Sequence, residues 1–247
     1  MTLEGVEFER RSDRAVVWLT RPEVRNAIDA GTVASLHQVC AVLESDPVPA
    51  MVTGGTEVFA AGADIGQLRD RTSTDALAGI NSGIFDRIAK LPMPTVAAIA
   101  GHALGGGAEL AYACDFRVGT PTTTIGNPEG RLGILAAAGA AWRLRELVGE
   151  VLAKEILLLG RILTAQEATE VRLLNEIVEA DQLLPAADAI IDQIHRSAPL
   201  AVRLTKLALH VPRDAHPVFD NVAQAVLFET PEKHERMTAF LDRKSRF

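Results

Sequence analysis

Polar and apolar positions alternate in VEFER, residues 6–10, and an apolar-rich stretch, AVVWL, follows at 15–19 after the polar RRSDR. That pattern predicts an antiparallel strand pair opening the fold. The loop RPEVRNAID comes next, and Asp29 is placed to cap a helix running to about Ser45. Along it Val33, Leu36, Val39, Val42 and Leu43 fall on one helical face. VPAMVTGG reads as a short strand stopped by Gly54 and Gly55, and VFAAGADIGQLRD as a loop turning into a helix. A helix is predicted from about Thr74 to Leu91, closed by the two prolines of LPMPTVAAIA, which opens another strand. A glycine loop, the helix ELAYACD, the strand FRVGT, a polar turn at TPTTT, then GNPEGRLGI and a small-residue helix complete this part.

Strands alternating with helices predict an α/β fold with parallel crossovers. Beyond Leu144 the pattern is helical almost throughout, down to a charged final helix ending FLDRKSRF. No short repeat, low-complexity linker or break in composition marks two independent domains.

Charge narrows the chemistry. The 32 acidic against 25 basic side chains give a formal charge of -7, which argues against a broad sequence-independent hold on nucleic acid. Cys40 and Cys114 stand far apart with no CxxC and no His cluster at ligand spacing, so both read as buried, reduced thiols and no metal is expected. The N-terminal MTLEGVEFERRSDR lacks an apolar h-region, and no stretch approaches the ~18 apolar residues of a membrane span. A cytoplasmic protein with no membrane partner is expected.

The candidate chemistry lies in GHALGGGAEL, residues 101–110, where three glycines precede a glutamate in apolar surroundings. A glycine turn between strand and helix bares N–H groups and is a candidate phosphate cradle. This one lacks the GK[ST] ending of a P-loop, and no GxGxxG occurs with its acidic ribose ligand in register. Glycines alone also fit a tight turn with close helix packing. VFAAGAD supplies a second small-residue turn after a strand, and two such turns on neighbouring strands can aim N–H groups at one oxygen, as in an oxyanion hole.

RPEVRNAID, VFAAGADI, AAIAGHALGGGAELAYACDFRV, IGNPEGRLGI and the ending MTAFLDRKSRF together resemble the enoyl-CoA hydratase/isomerase (crotonase) superfamily, in order over almost the whole chain. The resemblance implies a crotonase-like spiral of ββα units over residues 1–190 and a helical C-terminal trimerisation region over 191–247, within one continuous family domain. It implies an acyl-CoA thioester substrate, no cofactor beyond the coenzyme A carried by that substrate, and a homotrimer or dimer of trimers. By the same resemblance Ala61 and Gly106 form the oxyanion hole, Glu109 positions and activates water, and Glu129 supplies and recovers the proton. Arg25, Ala27, Ala63, Asp64, Ile65 and Ala137 border the substrate, Asp64 mainly by organising its loop. Arg243, Lys244 and Arg246 are candidate phosphate contacts, and His102 is given no catalytic part.

One segment departs from the family pattern. The proline and glycine-rich turn usual after the second glutamate is replaced by ILAAAGAAW, keeping Gly139 but adding alanines, which favour helix. The implied activity is hydration of a trans-2-enoyl-CoA to the 3-hydroxyacyl-CoA. An enoyl-CoA isomerase or specialised acyl-CoA dehydratase is the rival within the fold, and a non-catalytic CoA-binding or RNA-binding relative is the rival outside it.

Overall fold

A computed structural model describes residues 1–244. Contacts divide the chain into two compact units, Met1–Ile191 and Asp192–Phe247.

The first unit is built on a seven-stranded sheet in the order β1-β2-β3-β4-β5-β7-β10. Its strands are β1 (Thr2–Leu3), β2 (Val6–Arg10), β3 (Ala15–Leu19), β4 (Ala50–Thr53), β5 (Thr95–Ile99), β7 (Phe116–Gly119) and β10 (Glu176–Ile177). β2 and β3 pair antiparallel, as the alternating pattern predicts, β1 joins β2 antiparallel, and the rest are parallel. Strands β4 and β5 are buried along their whole length, as parallel strands covered on both faces must be.

Period-two alternation sorts their side chains into two cores. Val17, Val52, Ala97 and Ile99 face a large core with α1 (Ala30–Ser45), α4 (Ile80–Ala89) and α5 (Gly106–Ala113). Val16, Met51, Val96 and Ala98 face the other way, onto Leu183, Ala187 and Ile191 of α8 (Leu183–His195). Helix α1 begins at its expected cap: Asp29 accepts from the Thr32 N–H at 2.8 Å. Arg21 pairs with the same carboxylate.

A second sheet, ordered β6-β8-β9, is small and was not expected. Its strands are β6 (His102–Leu104), β8 (Thr124–Gly126) and β9 (Ile162–Thr164). The helix expected from Thr74 to Leu91 is two, α3 (Ser73–Ala78) and α4, parted at Gly79, and α2 (Ile65–Asp70) precedes them. The helical stretch beyond Leu144, with α6 (Arg145–Leu159) and α7 (Ala165–Glu170), is interrupted by β9 and β10. The small-residue segment after GNPEGRLGI is not an ordinary helix either, since Ala137–Gly139 turn and a short π-helical run spans Ala140–Leu144.

The second unit contains α9 (Pro199–His210), α10 (Val218–Phe228) and α11 (Pro231–Lys244), with α9 packed on α10. Leu209, Val218, Val222, Phe240 and Leu241 on these helices are exposed. Among the described residues no helix is long and apolar enough to cross a membrane.

Candidate active site

The two small-residue turns follow the C-terminal ends of adjacent parallel strands β4 and β5, where open α/β sheets present ligands. A parallel bridge between Ala60 and Ala103 holds them together: Ala60 donates to the His102 carbonyl at 3.0 Å, and Leu104 donates to the Ala60 carbonyl at 3.1 Å. The first loop is tied in by Asn26, which is buried. Its Nδ2 donates to the carbonyls of Val58 and Phe59, and its Oδ1 accepts from the Arg21 N–H.

This register corrects one expectation. The Ala61 N–H donates to the Arg25 carbonyl at 2.9 Å, so it is spent on the scaffold rather than aimed at a ligand. Ala63 carries the available donor instead. Neither the Ala63 nor the Gly106 N–H has an acceptor among the described residues, and a methyl built on Gly106 would lie 3.4 Å from the Ala63 nitrogen. Two neighbouring, acceptor-free amides at a strand-to-helix turn are equipped to hold one developing oxyanion. Gly105, just before, sits at φ 53, and a Cβ there would press on Glu129 Oε1 at 3.2 Å. Only glycine serves at that position.

Glu109 lies in the first turns of α5 and is 3% exposed. Its Oε1 accepts from the Ala138 N–H at 2.7 Å and the Ala140 N–H at 3.1 Å. The alanine loop therefore closes onto Glu109, turning through Gly139 at φ 132. Glu109 Oε2 has no hydrogen-bond partner among the described residues. Glu129 is 8% exposed. Its Oε1 accepts from Asn127 Nδ2 at 3.2 Å, and its Oε2 is buried without a partner among the described residues.

Burial pushes the Glu109 carboxyl up to about 7, and the nearby charge of Glu129 adds to the rise. The N–H groups of Ala140 and Ala138 and the Arg143 guanidinium pull against it. Burial also raises Glu129, against the pull of Asn127. Two carboxyls with raised affinity for protons, facing one space, form an acid–base pair able to hold a proton near neutral pH.

Both line a cavity of about 490 Å³. Ala61, Ala63, Ile65, Gly106 and Ala137 line it too, so the structure brings these expected residues together. Arg25, Ala27 and Asp64 are not on its wall: Arg25 is exposed, and Asp64 caps α2 by accepting from the Gln67 N–H at 2.8 Å. His102 is exposed and bonds Thr124 rather than the cavity. Arg243 is exposed on α11, while Arg246 and the Lys244 side chain lie outside the described residues. Among the described residues no cluster of three metal-ligating side chains occurs. Sequence reasoning passed over Asn26, Asn127 and Arg143. Only Asn127 carried a local signal, standing two residues before Glu129 in NPEG.

The sequence profile of the family described as enoyl-CoA hydratase/isomerase matches residues 9–247. The short-chain-enoyl-CoA hydratase of Clostridium acetobutylicum is 32% identical over 99% of this chain and 97% of its own. The crotonyl-CoA hydratase of Syntrophomonas wolfei is 34% identical over the same shares of the two chains. Among solved structures, an enoyl-CoA hydratase from Bacillus anthracis superposes with a TM-score of 0.90 at 28% identity, over 97% of this chain and 96% of that one. One from Thermoplasma volcanium gives 0.87 at 31% identity, over 95% and 96%.

Proposed function

The chain belongs to the enoyl-CoA hydratase/isomerase family, and within it we propose that this protein adds water across the double bond of a trans-2-enoyl-CoA to give the 3-hydroxyacyl-CoA. The observation that carries the reading is the pair of buried carboxylates, Glu109 and Glu129, on one cavity with two acceptor-free amides.

The thioester carbonyl oxygen accepts from the Ala63 and Gly106 N–H groups, which stabilise the negative charge it gains as water attacks Cβ. Glu109, steadied through Oε1 by Ala138 and Ala140, turns its free oxygen to that water and takes a proton as the O–Cβ bond forms. Glu129, whose affinity for a proton is raised by burial, delivers a proton to Cα. The proton gained by Glu109 then returns to Glu129, resetting the pair. Water is consumed, and no redox partner or cofactor enters beyond the coenzyme A of the substrate.

The reading extends to assembly as a homotrimer or a pair of trimers. Exposed Val151, Leu158 and Leu159 on α6 support it, as do the apolar faces of α9, α10 and α11 in the second unit. Incubation with crotonyl-CoA, following loss of the enoyl-thioester absorbance, tests the activity. Absence of turnover on every 2-enoyl chain length overturns it.

A further inference from the structure

The cavity has two walls of different chemistry. One carries the carboxylates and free amides. The other is made by α2, α3 and α4, where apolar Leu68, Ala76 and Ile80 are joined by Arg71, Asn81 and Ser82. A hydrocarbon chain has no use for a guanidinium or an amide there.

Arg71 Nη1 donates to Asn81 Oδ1 at 2.8 Å. Its Nε and Nη2 have no hydrogen-bond acceptor, and no carboxylate lies within ion-pair distance of it among the described residues. Asp75 is the acid of the same wall, and its Oδ2 is engaged by the Thr72 N–H and hydroxyl, both at 2.8 Å, in the cap of α3. Asn81 is anchored through Oδ1, while its Nδ2 is buried without an acceptor among the described residues. The Asp75 carboxylate feels the Arg71 charge without bonding to it; buried donors are nearly always paired, so an orphan beside a held guanidinium with unfilled N–H groups asks for a functional reason.

Building on the hydratase reading, which anchors the thioester at Ala63 and Gly106, we propose that this wall selects enoyl chains bearing a carboxylate, bound by the Arg71 guanidinium that Asn81 holds in position. A guanidinium presents its remaining N–H groups to a carboxylate as a planar fork, a match that a methyl terminus cannot supply. Asn81 acts as a positioning residue, and the substrates are monothioesters of unsaturated dicarboxylic acids.

Turnover is measured on a homologous series of trans-2-enoyl-CoA chains and on a matching series ending in a carboxylate. Binding of the saturated counterparts of both series is measured by calorimetry. The carboxylate compounds are expected to be favoured by roughly tenfold or more in kcat/KM and in Kd at the best length. Arg71→Met abolishes that ratio, and Asn81→Leu reduces it. Equal or better handling of the plain chains by the unmodified protein overturns the inference. So does an Arg71→Met variant that weakens every compound alike, since Arg71 then grips the shared coenzyme A. A binding preference for carboxylates without turnover of either series overturns the hydratase reading and supports this one.

Discussion

The Glu109 carboxylate takes the Ala138 N–H at 2.7 Å across 29 positions of sequence, so helix α5 is locked to the loop that carries the unusual alanines. Glutamine at position 109 keeps an oxygen to accept that bond but cannot take a proton from water. Glu109→Gln is expected to lower kcat/KM by about 10²- to 10⁴-fold with circular dichroism unchanged, and Glu129→Gln to do the same. Retention of full activity by either variant removes that residue from the mechanism.

Adjacent glycines should fail in different ways. A methyl on Gly106 meets nothing closer than the Ala63 nitrogen at 3.4 Å, and so folds, but it crowds the two amides proposed to hold the thioester oxygen. Gly106→Ala is expected to cost about 10²- to 10³-fold in kcat with a near-normal melting temperature. A methyl on Gly107 would lie 2.1 Å from the Ala60 carbonyl oxygen. Gly107→Ala is expected to destabilise the fold by about 1–3 kcal/mol, measured by denaturant unfolding.

The raised affinity of Glu109 for its proton has a sign in stability as well as in rate. With the folded value at about 7 against an ordinary 4.5, the folded state binds more protons in between. This contribution is fully present below the unfolded value and is lost as pH rises through about 7. Relative to the unmodified protein, Glu109→Gln should be unchanged at about pH 4 and more stable by up to roughly 3 kcal/mol at about pH 8. In kinetics, kcat/KM should rise with pH through a limb near 7 as Glu109 ionises. A flat stability difference between the two proteins across this range argues against a raised Glu109.

Asp64 is expected to act locally. Losing the cap of α2 costs about 1 kcal/mol, but that helix has no buried residue to transmit the loss. Asp64→Ala should speed amide exchange over residues 65–70, leave the melting temperature in place and raise KM more than it lowers kcat.

Sedimentation should give a mass three or six times the 26.4 kDa of the chain. A stable monomer at micromolar concentration contradicts the proposed assembly.

What the sequence disclosed follows from the length over which a pattern must persist. Strands β2 and β3 and helix α1 run long enough to display a period and carry a turn or a cap, and they were legible. Strands β6, β8 and β9 are three residues each, too short for alternation, and exist because of partners distant in sequence. The oxyanion turn shows the same limit at finer scale. Small residues in FAAGAD marked the turn, yet which amide stays free depends on whether the Arg25 carbonyl meets residue 61 or 63. Glu109 and Glu129 were found through motifs. Arg71 and Asn81 meet only through the break between α3 and α4, which no local pattern announces.

Helices α2 and α3 contribute no buried residue, whereas Ala63, Gly106 and Glu109 hang from the sheet and from the wholly buried α5. Mutations on the two helices are thus nearly free of folding cost, and mutations around the reacting atoms are not. The cavity can therefore be reshaped on the side of these two helices at little cost to the fold, while the side carrying the two glutamates is tied to the core.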